Sequence, residues 1–125
     1  MYFKQLVKED LGCASYIVGC PDAGTCVVVD PRLDMVEEIL TFASAKGMRV
    51  DAVIETHNHA DHISGHGELA SRTGACIYVH EQAGVAYPHH DLKDGDELTF
   101  GVVKMRVIHT PGHRPEHIAL AVADT

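Results

Sequence analysis

Residues 26–56 hold the pattern that most narrows the fold: the run "CVVVD", an apolar stripe at helical spacing, then the run "VDAVIET". The first run is continuous and β-branched, as in a buried strand. From Asp34 to about Lys46, Met35, Val36, Ile39, Leu40 and Ala43 fall on one helical face. Asp34 stands where it can cap that helix with Glu37 at the third position, and Gly47 stands where a left-handed C-cap belongs. A strand, a crossover helix and a second strand make a βαβ unit, whose strands run parallel through a right-handed connection.

The rest of the chain reads mainly as strand. "YFKQLV" and "CASYIVG" precede the unit, and a short helix from about Gly65 to Arg72 and the strand "CIYVH" follow it. A polar, histidine-containing loop, "EQAGVAYPHHDLKDGD", leads to three closing strands at roughly Glu97–Phe100, Val102–His109 and His117–Ala123. No internal repeat, low-complexity tract or linker interrupts this order. At 125 residues the chain is one domain or part of one.

Strand 50–56 ends where the densest group of ligating side chains begins. "ETHNHADHISG" sets His57, His59, Asp61 and His62 side by side, in a chain with ten histidines. In open α/β sheets the working crevice lies beyond the carboxyl ends of parallel strands, so this motif opens into a cleft. The spacing His-x-His-x-Asp-His lets alternate side chains point one way. His57 and His59 can then share one metal, while Asp61 and His62 face a neighbouring position. Imidazole suits zinc and iron, and the carboxylate suits a harder second ion or a metal-bound water. Gly65 frees the backbone to turn into the next helix.

A second cluster, "HTPGHRPEH", spans residues 109–117. Pro111 and Gly112 make a tight turn that presents His113 as a ligand from a distant part of the chain. His109, at a strand end, reads as a packed or hydrogen-bonded histidine. His117, beside Glu116, opens the final strand and reads either as an ordinary strand-end histidine or as an outer partner of a ligand. Asp30 lies at the same sheet edge as His57, where it serves either as a brace for the ligand loop or as an ordinary turn aspartate.

Charge narrows the partners. A formal net charge of -8 and the lack of any basic cluster disfavour nucleic acid. The N-terminus has no basic region leading into an apolar core, and no apolar run approaches the ~18–20 residues that span a bilayer. These features predict a cytoplasmic protein with no membrane partner. Cys13, Cys20, Cys26 and Cys76 lack metal-type spacing and read as small buried apolar residues. Cys20 and Cys26 flank a turn and could meet across a hairpin, but a cytosolic setting argues for thiols.

"THNHADH" with the downstream "TPGH" resembles the metallo-β-lactamase superfamily, which includes glyoxalase II and the persulfide dioxygenases. "YFKQ", "LGCASYIVG", "VVVDP", "YPH", "DGD" and "TPGHRPEH" are similar to the persulfide dioxygenase branch, including its rhodanese-associated members. The resemblance implies an α/β fold, a mixed sheet with helices on one face. Residues 1–125 would form the N-terminal half of an αβ/βα sandwich, with the C-terminal half absent.

Carried over by motif position, it implies His57 and His113 as ligands of Fe(II), with His59, Asp61 and His62 lining the pocket and hydrogen-bonding to bound waters. The intact protein would then oxidise a low-molecular-weight thiol persulfide, such as glutathione persulfide, to sulfite with dioxygen. The alternative is a thioester hydrolase of glyoxalase II type using Zn(II). There His57, His59 and His113 hold one ion, and Asp61 with His62 helps hold a second. In either case Asp61 and His62 are the candidate catalytic pair. A third reading is a non-catalytic metal-binding or assembly half-domain. The Gly-Asp that completes the family's site has no counterpart after His113, so the 125 residues alone are expected to be inactive. They are also expected to dimerise, or to associate with their own C-terminal half, through the apolar side chains of Ile118, Leu120 and Val122.

Overall fold

The structure, a computed structural model, describes residues 1–8, 13–57, 64–112 and 114–124. The larger of its two sheets has the order β1-β2-β3-β4-β5-β6. It is built from β1 (Tyr2–Lys8), β2 (Cys13–Cys20), β3 (Thr25–Val29), β4 (Arg49–Ile54), β5 (Cys76–His80) and β6 (His90–Leu92). β1, β2 and β3 pair antiparallel, and β3 through β6 run parallel. Helix α1 (Val36–Ala45) makes the crossover from β3 to β4, and α2 (His66–Thr73) the crossover from β4 to β5. A second sheet of β7 (Glu97–Phe100), β8 (Val103–His109) and β9 (Ile118–Asp124) is antiparallel throughout.

Alternation along the strands divides the core in two. Ile17, Val28 and Val53 point to the helices and pack with Met35, Val36, Ile39, Ala43 and Leu69. Val18, Val27, Val29 and Ile54 point the other way and pack with Met105, Val107 and Ile118 of the second sheet. Both helices therefore cover one face of the mixed sheet, as the sequence implies. β3 is buried at all five positions because both of its faces are covered. In β8, Val103, Met105 and Val107 face inward while Lys104, Arg106 and Ile108 face out, the two-residue period of a half-covered strand.

Three expectations need correction. Asp34 does not cap α1: a 3₁₀ turn, Leu33–Met35, precedes the helix, and Asp34 forms two 3.0 Å bonds to the Arg32 guanidinium. A forked, charge-assisted pair outcompetes a single bond to a helix N–H. The histidine-containing loop holds an additional strand, β6, whose three residues are too few to show a period. Cys20 and Cys26 are buried thiols, as expected, with side chains in the cores on opposite faces of the sheet. Burial first, and Asp51 second, push the Cys26 thiol up to about 12, which leaves it inert. Ile118 is buried, and Leu120 and Val122 are half-buried against the inner core, where β9 pairs along the whole of β8. Cys76 is exposed, in contrast to the expected burial.

Candidate metal centre

Both ends of the histidine loop are fastened to the chain at residues 30–32. At the first end, Asp30 donates its N–H to Ile54 O at 2.9 Å, and its carboxylate accepts from Thr56 N at 2.7 Å and Thr56 Oγ1 at 2.5 Å. Asp30 is buried and has a φ of 52°, a left-handed conformation that costs a non-glycine residue roughly 1–2 kcal/mol. These bonds hold it there. The brace reading of Asp30 is the one the structure adopts.

At the second end, Gly65 N donates to Pro31 O at 2.8 Å, and Ser64 bridges to Arg32. A Cβ on Gly65 would lie 2.8 Å from both Arg32 O and Val36 Cγ2, so only glycine fits. Glu55, buried beneath this end, accepts from Ser64 Oγ and lies 3.0 Å from His66 Nδ1. The His66 ring stacks on Tyr87 with centroids 4.3 Å apart.

This framework sets the tautomer of His57. The Thr56 hydroxyl has one proton, and the 2.5 Å bond to Asp30 takes it. Thr56 Oγ1 must then accept at its other contact, 2.9 Å from His57 Nδ1, so the ring proton sits on Nδ1. Nε2 is left with its lone pair. A metal-binding imidazole needs that arrangement: one nitrogen held by a hydrogen bond, the other deprotonated. The donor chemistry of His57 thus fits a metal.

The second cluster reaches the same place from the other sheet. Ile118 N donates to Thr56 O at 2.9 Å, which ties the start of β9 to the end of β4. The His117 ring lies against His57 with centroids 4.8 Å apart. The turn between β8 and β9 is closed by Thr110 N donating to His117 O at 2.9 Å and by Arg114 Nε donating to buried Glu116 at 2.6 Å. His109 is hydrogen-bonded, as its place at a strand end predicts: its Nε2 donates to Pro115 O at 2.7 Å.

Of the predicted site residues, His57 is placed at the carboxyl end of β4, and His59, Asp61, His62 and His113 lie outside the described residues. The described residues next to the two motifs meet: the His117 ring lies against His57, and Ile118 N bonds to Thr56 O. Sequence reasoning missed Thr56 and Glu55. Both flank the motif, and only their through-space partners reveal a role.

The chain matches the metallo-beta-lactamase superfamily over residues 9–125 and belongs to it. Among its relatives are enzymes of two chemistries. It is 36% identical over 109 residues to a hydroxyacylglutathione hydrolase from Polaromonas sp., a match covering 85% of this chain and 41% of the relative. It is 29% identical over 121 residues to the mitochondrial persulfide dioxygenase ETHE1 of Bos taurus, covering 97% of this chain and 48% of the relative. The crystal structure of ETHE1 from Myxococcus xanthus superposes with a TM-score of 0.91 at 30% identity, covering 98% of this chain and 54% of that one. The chain thus spans about half the length of the curated relatives it matches.

Proposed function

We propose that this chain carries the first ligands of a metal-dependent enzyme of persulfide dioxygenase type, which oxidises a low-molecular-weight thiol persulfide to sulfite with dioxygen. The observation that carries the metal site is the Asp30–Thr56–His57 chain of hydrogen bonds, which places the ring proton of His57 on Nδ1 at the end of a parallel strand. His57 and His113 would hold the ion, with Asp61 and His62 beside it. The metal, Fe(II) in this reading, supplies a centre to which substrate and oxygen both gain access. The likeness to ETHE1 over 97% of the chain supports this chemistry.

A thioester hydrolase using zinc is the second reading, favoured by the 36% identity to the hydroxyacylglutathione hydrolase. Protein expressed from the whole gene with both metals supplied separates the two. Iron in the purified protein, with oxygen uptake on glutathione persulfide, is expected. Two zinc ions per chain, thioester hydrolysis and no oxygen uptake would overturn the dioxygenase reading.

The partner is a small thiol derivative, and the protein works in the cytoplasm. Taken alone, the 125 residues associate with a second copy or with the complementary half. An open apolar cleft of about 220 Å³ between the sheets, lined by Phe3, Tyr16, Leu120 and Val122 among others, supports this association.

A further inference from the structure

A stacked pair of histidines, His80 and His109, joins the two sheets. His80 ends β5 and is buried, and its Nδ1 accepts from Gln82 N at 3.1 Å. That bond leaves the ring proton of a neutral His80 on Nε2. Burial, and next the neighbouring His109, push His80 below the ordinary imidazole range, so the ring is uncharged near neutral pH. His109 ends β8. Its backbone N donates to Asp94 at 2.8 Å, and its ring lies flat on His80, with centroids 3.9 Å apart and planes 17° apart. The same ring donates from Nε2 to Pro115 O at 2.7 Å.

His109 is therefore held on one side by a buried ring from the parallel sheet, and on the other it grips the carbonyl two residues past His113. Backbone bonds already close the base of the turn, through Thr110 and His117. The His109 side chain adds a tie further along it. A tight turn closed only at its base can tilt about that base, whereas a second tie nearer its tip fixes the tilt. Placement to within about 0.5 Å is what a metal ligand requires.

We infer that His109, stacked on His80 and bonded to Pro115, is a positioning residue that sets the described turn between β8 and β9, in whose sequence His113 falls, against His57. The inference rests on the reading of His113 as a ligand. It assigns the stacked pair to the alignment of ligands from the two sheets, and not to binding the ion.

Three substitutions at His109 divide its contacts. His109→Phe keeps a flat ring for the stack but removes the donor to Pro115. His109→Gln places an amide N–H near the position of Nε2 but removes the stack. His109→Ala removes both. The protein encoded by the whole gene is loaded with Co(II), and its visible ligand-field bands, Co(II) affinity and urea midpoint are recorded for each variant and for His113→Ala.

His109→Phe is expected to shift the bands and weaken Co(II) binding about tenfold, with a urea midpoint close to the parent's. His109→Gln should restore the bands and most of the affinity, and His109→Ala should be the weakest of the three. Parental bands and affinity in His109→Phe, or losses that simply track the urea midpoint, would overturn the inference, provided that His113→Ala does weaken binding. Unchanged binding in His113→Ala would instead overturn the ligand reading itself.

Discussion

Replacing Thr56 with Val tests the hydrogen-bond chain behind His57 with little change of shape. Valine keeps the branched Cβ and removes only the hydroxyl, which donates to Asp30 at 2.5 Å and accepts from His57 Nδ1 at 2.9 Å. A hydrogen bond to a charged group contributes about 1.5–3 kcal/mol. The second loss frees the His57 ring to rotate and to change tautomer, which acts on metal binding more than on folding. Outer partners of metal-bound histidines typically contribute about 10–100-fold in affinity. The expected effect is thus a fall in stability of about 2 kcal/mol together with a 10–100-fold weaker metal affinity.

Competition against a chromophoric chelator measures the affinity, and urea unfolding of the metal-free protein measures the stability. Thr56→Ser restores the hydroxyl and should recover most of both. If Thr56→Val binds metal within about twofold of the parent while remaining folded, then the tautomer of His57 is not set by this chain and the central argument for the site fails.

Three further predictions follow from the same geometry. His80 has a lowered folded-state pKa, caused first by burial, so its contribution to stability is present above its ordinary value of 6.5 and is lost as pH falls through the lowered value. His89 is raised, chiefly by its bond to the Tyr87 carbonyl, so its contribution is present below 6.5 and is lost as pH rises through the raised value. Urea midpoints between about pH 5 and 8 should lose their acid-side slope in His80→Asn and their alkaline-side slope in His89→Asn; unchanged slopes would refute the assignments. Gly65→Ala should destabilise by roughly 1–3 kcal/mol and lower metal affinity as well, because the new methyl meets the Arg32 carbonyl at 2.8 Å; a neutral effect in calorimetry and chelator competition would show that the loop end is not packed this way. The 125 residues expressed alone should self-associate in light scattering through the cleft that exposes Phe3, and a monodisperse 13.6 kDa monomer would contradict this.

Much of the fold was legible because its signals are local. The four apolar residues of β3, Cys26 to Val29, the stripe on α1 and the left-handed Gly47 each announce themselves within one turn or one strand, and the parallel β3–α1–β4 unit follows from them. β6 was illegible for the same reason. It is a strand only because Tyr78, Val79 and His80 offer it backbone partners, and its own three residues carry no period. Asp34 shows the other kind of miss, in which a good local capping signal is overridden by Arg32 two residues away.

In the candidate site, the ligating residue types were legible, and the groups that orient them were not. Thr56 precedes His57 in sequence, but its importance comes from Asp30, 26 residues earlier. The stacked partner of His109 is His80, at the end of a strand in the other sheet. Such partners meet only after the sheets have formed, so no spacing rule contains them.

The dependence also runs in the opposite direction, from sheet to site. Asp30 N bonds to Ile54 O, Gly65 N to Pro31 O and Ile118 N to Thr56 O. Each of these is a backbone bond at a strand end or loop root. The position of His57 is consequently a property of how β3 registers against β4, Val29 opposite Ile54, and of where β9 begins. A slip of one residue in that register would turn every side chain of β4 to the opposite face and carry Thr56 away from Asp30. The two buried cores oppose such a slip, since Val53 must face the helices while Ile54 faces the second sheet. The apolar alternation of this mixed sheet therefore fixes its strand ends, and through Asp30 and Thr56 it also fixes which nitrogen of His57 carries the ring proton.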